Sequence, residues 1–371
     1  MNFTFDTDQE ELRTTLRRFL QAKSPESEVR RLMETVEGYD PAVWRQAAEQ
    51  LGLQGLAIPE KFGGSGFGYP ELVLVFEEMG RALYCGPFFS TVALATNLLL
   101  AVDDDSARAD YLPGLASGET IATVALAEQS GRWDAEGVQL RAIETDGSWQ
   151  LTGEKLYVLD GAVADLILVA ARTAAGVSVF AVPAGAPGLV VEPLTTMDQT
   201  RKQARITFAQ TPARLIGRDG DGWSALSHML DLAAVALAAE QVGGAQFVLE
   251  MSVEYAKTRV QFGKPIGTFQ AIKHKCADML LEVESAKSAA YYGGWIATGG
   301  EDELPAVASL AKAYCSEAYL HAAAENIQIH GGIGFTWEHP AHLYFKRAKT
   351  SELLFGDPTY HREQLASRIG I

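Results

Sequence analysis

Apolar residues recur with a helical period through the first third of the chain. They return every three or four positions over residues 9–21, 42–51 and 70–83, which predicts three amphipathic helices. A glycine-rich loop, Gly63-Gly64-Ser65-Gly66, lies between the second and the third of them. We therefore predict a helical region that extends to about residue 115.

The period shortens between residues 120 and 208. Apolar runs there are separated by turn residues such as Asp146-Gly147 and Pro187-Gly188. The predicted strands are 120–126, 138–143, 149–158, 166–171, 177–182, 190–194 and 205–208. Such a series of short strands favours a small sandwich or barrel.

Helical spacing returns after residue 222. Alanine-rich patterns over 225–259, 269–298 and 305–329 indicate long helices with small residues at their contacts, as in a four-helix bundle. Blocks of helix, strand and helix indicate an α+β fold. The expected domains are an N-terminal α-helical domain at 1–116, a central β-sandwich or barrel at 117–215 and a C-terminal four-helix bundle at 222–371.

The charge of the chain excludes some partners. Its 371 residues carry a formal net charge of −16, with a pI near 4.9. This acidity argues against a nucleic-acid partner and against binding to an anionic membrane face. No run of about eighteen uninterrupted apolar residues occurs, so we expect no membrane span.

Cysteines and histidines predict neither disulfides nor a metal site. His339 and His342 are three positions apart, with no third candidate ligand nearby. Residues 1–10 carry acids and no apolar segment of a signal peptide. The cysteines are scattered and form no CxxC pair, which is typical of free thiols in a reducing compartment, so a cytoplasmic location is expected. They are Cys85, Cys276 and Cys315.

The first candidate binding motif follows the long predicted helix at 225–259. Arg259 ends this helix just before the turn Phe262-Gly263-Lys264-Pro265. A guanidinium in this place can bind a phosphate through two hydrogen bonds, and Phe262 offers an aromatic face to a planar ring. The alternative interpretation is a cation that stabilises the C-terminus of a helix.

The second motif is Gln328-Ile329-His330-Gly331-Gly332-Ile333-Gly334-Phe335. Glycines allow close approach of the backbone and expose N–H donors, which suits a pyrophosphate. A glycine-rich helix C-terminus, without a ligand, would have the same sequence.

The two motifs, in this order and with this layout of elements, resemble the acyl-CoA dehydrogenase family. The resemblance covers nearly the whole chain. Further matching segments are Pro59-Glu60, Gly118-Glu119, Ala127-Glu128, Gly153-Glu154-Lys155-Leu156-Tyr157, Tyr255-Ala256 and the stretch from His339-Pro340 to Ala348.

The resemblance implies an FAD-dependent enzyme that desaturates an acyl-CoA thioester between its α and β carbons. It implies a tetramer, or a dimer of dimers, with an electron-transfer flavoprotein as electron acceptor. Arg259 and Phe262 match the residues that reach across to the FAD of a neighbouring subunit, and Gln270 matches a glutamine of the same region. Gln328, Gly331 and Gly332 match the family's contact with the FAD pyrophosphate.

The chain departs from the family at the catalytic base. Most members carry a glutamate in a Tyr-Glu-Gly-Thr-like segment, and Gly356 stands in its place here. Other members keep the glutamate on the first long bundle helix, where this chain has Ala233. Asp357, one residue further on, and Glu240, about two turns after Ala233, are the alternative candidate bases.

The β domain departs as well. The family's threonine next to the flavin ring is replaced by Leu159, and bulky Arg132 and Trp133 stand where small residues are usual. These changes predict a subunit that lends FAD-binding residues to a catalytic partner in a heterotetramer. A self-sufficient homotetramer with Asp357 or Glu240 as base is the first alternative, and a flavin-free scaffold or binding subunit is the second.

Overall fold

The computed structural model describes residues 5–300 and 302–371. Its contacts divide the chain into two compact units. The first comprises the residues up to Arg30, Tyr69–Tyr84 and Ala234–Ile371, and the second comprises Arg31–Gly68 and Cys85–Ala233. The helical regions and the β region expected from the sequence are all present, which confirms the α+β fold.

Eleven α-helices occur in the described part of the chain. They are α1 (Thr7–Lys23), α2 (Glu26–Met33), α3 (Pro41–Leu51), α4 (Tyr69–Arg81), α5 (Asn97–Ala101), α6 (Asp105–Ala116), α7 (Gly222–Thr258), α8 (Gln270–Ile296), α9 (Leu304–His330), α10 (Ala341–Leu353) and α11 (Pro358–Arg368). Aspartates at the N-caps begin several of them: Asp6 accepts the Gln9 N–H before α1, and Asp40 accepts the Ala42 N–H before α3.

Seven strands form the sheet of the second unit. They are β1 (Ala122–Ala125), β2 (Arg141–Thr145), β3 (Ser148–Leu159), β4 (Leu166–Arg172), β5 (Val177–Pro183), β6 (Leu189–Pro193) and β7 (Gln203–Ile216). β4 pairs with both β2 and β5, and the path β2–β3–β7–β5 joins these two, so the sheet closes into a small barrel. β1 and β6 add to β4 and β7.

A π-helix, Phe89–Thr96, precedes α5 in the second unit. All of its residues are buried, and the Thr91 hydroxyl exchanges hydrogen bonds with the backbone of Ala122 on β1. Ser90 on the same segment donates to the buried carboxylate of Asp160, 2.7 Å away. The π-helix is thereby tied to the barrel by polar contacts at two points.

In the first unit, α4 and α7 meet backbone to backbone. A Cβ added to Gly80 would lie 1.9 Å from the carbonyl oxygen of Glu240, and one added to Gly243 would lie 1.8 Å from that of Glu77. Only glycine therefore permits this approach of the two helices. The crossing fixes the backbone of α7 around Glu240.

α7 is also long and apolar enough to cross a membrane by length and composition alone. However, 89% of its most apolar window is buried inside the protein, as is typical of a core helix.

Arg13 and Arg17 on α1 pair with the buried carboxylates of Glu77 and Glu78 on α4, which anchors α1 on the bundle.

Candidate functional site

The segment after α7 is a tight hairpin that presents Phe262. Its strands are β8 (Val260–Gln261) and β9 (Lys264–Pro265), and the two residues between them, Phe262 and Gly263, have φ values of 53° and 77°. Two consecutive positive φ angles are what a two-residue turn between antiparallel strands requires. The turn leaves Phe262 90% exposed.

The glycines at the end of α9 leave open space around the backbone. Gly331 ends the helix with a φ of 61°, and neither Gly331 nor Gly332 has another atom within 4 Å of an added Cβ. Gln328, one turn earlier, is exposed. A ligand can therefore approach this backbone closely.

The two motifs lie at the same end of the bundle. The rings of Tyr255 on α7 and His330 on α9 stack with centroids 4.2 Å apart, and Ser252 donates to the Asn326 side chain at 2.8 Å. Within residues 5–300 and 302–371, the exposed side chains of Arg259, Gln270 and Gln328 make no hydrogen bond or ion pair. Their donors are therefore available to a ligand.

The segment that carries Gly356 adopts an unusual backbone conformation. Phe355 and Gly356 have φ values of 62° and 106°. A Cβ on Gly356 would lie 2.2 Å from Cδ1 of Tyr360. A longer side chain at this position is excluded unless the tyrosine moves.

Two buried side chains hold the same segment in place. Nζ of Lys312 lies 3.0 Å from the carbonyl oxygens of Glu352 and Gly356 and from Oγ of Ser316. Nε2 of His361 donates to the Phe355 carbonyl at 3.1 Å. Burial lowers the pKa of Lys312 to about 7 and the pKa of His361 to about 3. Sequence reasoning missed both; a single lysine within the alanine-rich pattern of α9 was the available signal.

The two candidate bases already have structural partners. Glu240 is buried, and its carboxylate forms an ion pair of 3.0 Å with Arg347, which is also buried. Asp357 is exposed and caps α11 by accepting the Tyr360 N–H at 2.8 Å. A catalytic role for either residue remains a prediction.

The β-domain residues that depart from the family also make contacts within the chain. Leu159 is buried, and its carbonyl accepts a hydrogen bond of 2.6 Å from the Thr123 hydroxyl. The Arg132 guanidinium pairs with the carboxylates of Asp134 and Glu136, both at 2.7 Å. Tyr157 lies where the pairing of β3 with β7 shifts register, with a φ of 54° and a half-exposed ring.

The described residues contain no group of three or more histidine, cysteine, aspartate or glutamate side chains that could hold a metal ion.

Family models for three acyl-CoA dehydrogenase domains match the chain in order. The N-terminal domain matches residues 6–119, the middle domain 123–211 and the C-terminal domain 220–370. The chain belongs to the acyl-CoA dehydrogenase family. It is therefore related to oxidoreductases that depend on FAD.

Individual relatives match along nearly their whole length. The acyl-CoA dehydrogenase IpdE2 of Mycolicibacterium smegmatis is 36% identical, over 96% of both chains. Two solved structures are similar in fold. A variant of the Tcur3481–Tcur3483 steroid acyl-CoA dehydrogenase has a TM-score of 0.88 at 31% identity and covers 98% of this chain and 97% of its own. The ChsE4–ChsE5 complex of Mycobacterium tuberculosis has a TM-score of 0.90 at 29% identity, over 100% and 99%.

The exposed residues at the end of the bundle fit part of FAD, the cofactor of this family. An unpaired guanidinium at Arg259 and open backbone at Gly331 and Gly332 are suited to a pyrophosphate. An exposed aromatic ring, Phe262, is suited to a planar heterocycle. The barrel offers less to a flavin ring, because Leu159 has no side-chain donor.

Proposed function

We propose that this chain is the non-catalytic subunit of a heteromeric acyl-CoA dehydrogenase. The observation that supports this most strongly is the fit of Tyr360 against Gly356. Abstraction of the α proton of a thioester requires a base within hydrogen-bond reach of that proton. Here the usual position of the base holds a glycine, and the space beside it is filled by a ring.

The environments of Glu240 and Asp357 support the same proposal. The Glu240 carboxylate is engaged with a buried cation, and removing such a partner costs about 3–5 kcal/mol. The Asp357 carboxylate is engaged with the first turn of α11. Each carboxylate therefore already makes a structural contact, and protonation of the carboxylate would weaken that contact.

The proposed contribution of this chain is to bind the nucleotide part of an FAD held by its partner. Arg259 and Gln328 would donate to the pyrophosphate, the Gly331–Gly332 backbone would allow close approach, and Phe262 and Gln270 would contact the adenosine portion. When bound, the flavin supplies the hydride acceptor. The residues of this chain would hold and orient the nucleotide.

The proposed partner is a second acyl-CoA dehydrogenase chain that carries the catalytic glutamate, and the proposed acceptor is an electron-transfer flavoprotein. Similarity to a chain of the ChsE4–ChsE5 complex supports a heteromer. Similarity to a steroid acyl-CoA dehydrogenase supports an acyl-CoA with a steroid-derived acyl group as the substrate class.

Purification with and without the partner tests the proposal. We expect the chain alone to carry no flavin, and we expect the co-expressed complex to carry FAD and to oxidise an acyl-CoA. Arg259→Gln should lower the FAD content of the complex and leave the melting temperature of the flavin-free chain unchanged, because Arg259 is exposed and unpaired. Arg218→Gln is the matched control, because it alters an exposed arginine that belongs to the second unit and to neither nucleotide motif.

The alternatives have distinct outcomes. Stoichiometric FAD and turnover by the chain alone would establish the self-sufficient homotetramer. Loss of that turnover with FAD retained, in Glu240→Gln or Asp357→Asn, would then identify the base. If the catalytic partner carries the same amount of FAD alone as it does together with this chain, the chain is a flavin-free scaffold. On our proposal, Asp357→Asn is nearly silent because asparagine caps a helix as well as aspartate does.

A further inference from the structure

Three rings form a row of two contacts where the two nucleotide motifs meet, with His330 in the middle. Tyr255 stacks on His330, and the His330 ring also contacts His339, with centroids 4.4 Å apart. We name these residues the ring cluster. It joins α7, the end of α9 and the segment that precedes α10.

Hydrogen bonds assign a proton or a lone pair to one nitrogen of each imidazole. Nδ1 of His330 lies 2.8 Å from the Asn326 carbonyl, so this nitrogen carries the proton and donates. The Ala341 N–H donates to Nδ1 of His339 at 3.2 Å, so that nitrogen carries a lone pair. The His339 ring is therefore neutral in this arrangement.

The ring cluster lies directly behind the proposed nucleotide contacts. Tyr255 is one helical turn before Arg259, and the Arg259 N–H donates to the Tyr255 carbonyl at 2.8 Å. His330 immediately precedes Gly331. A change in the distance between Tyr255 and His330 therefore changes the distance between the arginine and the glycines.

We infer that the ring cluster is a positioning element, which sets the spacing between Arg259 and Gly331–Gly332 while both imidazoles are neutral. This inference rests on the proposed function. It assigns to Tyr255, His330 and His339 a role that acts through their neighbours and involves no contact with the nucleotide.

The surroundings of the cluster make this spacing sensitive to acid. Burial lowers the pKa of His330 and of His339 below 6.5, and His330, His342 and Arg30 lower the pKa of His339 further while Glu26 opposes them. Protonated His339 can no longer accept the Ala341 N–H. Because both folded-state pKa values are depressed, the cluster is intact above pH 6.5 and is lost as the pH falls through the folded values.

Substitution of His330 tests the inference by two measurements. The first is amide hydrogen exchange of residues 331–335 in this chain without flavin, and the second is FAD retention by the assembled complex on dilution. His330→Ala removes the ring. It should speed exchange and weaken FAD retention, each roughly three- to tenfold, because this is the factor by which an aromatic pair usually stabilises a structure. His330→Phe keeps a ring and should stay within about twofold of wild type.

The pH profile separates positioning from general stability. The quantity compared is the opening constant of residues 331–335, which is the observed exchange rate divided by the intrinsic rate at the same pH. On acidification from about pH 7 to about pH 5.5, this constant should rise less in His330→Phe than in wild type, because one of two titrating rings is gone. His321→Ala, an exposed histidine on the same helix, is the control and should match wild type throughout.

Wild-type exchange in His330→Ala would overturn the inference, and so would a loss in His330→Phe as large as that in His330→Ala. If His330→Ala does not fold, a pH response in His330→Phe equal to that of wild type overturns it. The exchange measurement needs no partner and no flavin. It therefore decides the role of the cluster even if the proposed heteromer does not form.

Discussion

Lys312 is a buried amine whose hydrogen bonds suit both of its protonation states. As an ammonium it donates to the Glu352 and Gly356 carbonyls and to the Ser316 hydroxyl. As a neutral amine it donates to the two carbonyls and accepts the hydroxyl proton. Ser316 also accepts a hydrogen bond of 2.9 Å from Gln241 on α7. One side chain thus connects α7 and α9 with the segment around Gly356.

We predict that Lys312→Met lowers the free energy of unfolding, by an amount that depends on pH. The two carbonyls lose their donor, at a cost of about 1–3 kcal/mol each. The folded pKa of about 7 lies below the unfolded value of 10.5, so the contribution of Lys312 is complete above pH 10.5 and is lost as the pH falls toward 7.

Urea unfolding of both proteins between about pH 7 and about pH 10 measures this difference, which should grow by at most about 1.4 kcal/mol per pH unit. Lys257→Met, at an exposed lysine on α7, should give a small and constant difference. A constant difference for Lys312→Met as well would show that the amine does not titrate in this range.

The crossing of α4 and α7 leads to a prediction at the scale of elements. In Gly80→Ala, the new methyl group meets the Glu240 carbonyl, so the helices must separate. Overpacking of this kind costs about 1–3 kcal/mol or more. We therefore expect a lower melting temperature, measured by thermal unfolding.

A matched glycine defines the baseline for that experiment. Gly299 is exposed and has no other atom within 4 Å of an added Cβ, so Gly299→Ala should change stability by less than about 0.5 kcal/mol. A Gly80→Ala protein as stable as Gly299→Ala would mean that the helices can separate without cost.

The elements with a regular pattern were predictable from the sequence, and those with an interrupted pattern were not. The helices α7, α8 and α9 and all seven strands of the sheet occur where the periodicity placed them. β7 extends over Gln203–Ile216, although the pattern indicated only 205–208. Pro212 and the positive φ of Gln210 break the alternation, and both lie close to a register shift between β3 and β7.

The sequence pattern could not predict which residues contact the candidate site residues. Glu240 and Arg347 are far apart in the sequence and pair only in the folded bundle. The fit of Tyr360 against Gly356 depends on a backbone angle that the sequence does not display. By contrast, exposed Arg259 and Phe262 follow directly from a helix end and a glycine turn.

At the scale of the whole molecule, apolar exposure contrasts with a strong negative charge. The net charge of −16 favours a soluble, separate chain. Yet Phe262, Phe335 and Trp337, all in the first unit, are 90%, 70% and 51% exposed. Large exposed aromatic side chains that are close in sequence to a candidate binding motif are typical of an interaction surface.

We predict that Phe262→Ser weakens association with the partner and leaves the fold intact, since the ring makes few contacts within its own chain. Size-exclusion chromatography over a dilution series measures the association. Ile143→Ser, at an exposed residue of β2, is the control and should behave as wild type. Unchanged association of Phe262→Ser would place the partner surface elsewhere.

The ring of Tyr360 beside Gly356 also bears on whether a base can be restored at this position. A glutamate introduced at position 356 would clash with the Tyr360 ring and would also have to adopt a φ of 106°, which side chains disfavour. The tyrosine ring would have to move or be replaced by a smaller side chain. On the proposed function, one substitution at position 356 therefore does not restore a base unless Tyr360 is also rearranged, and the subunit would keep its need for a catalytic partner.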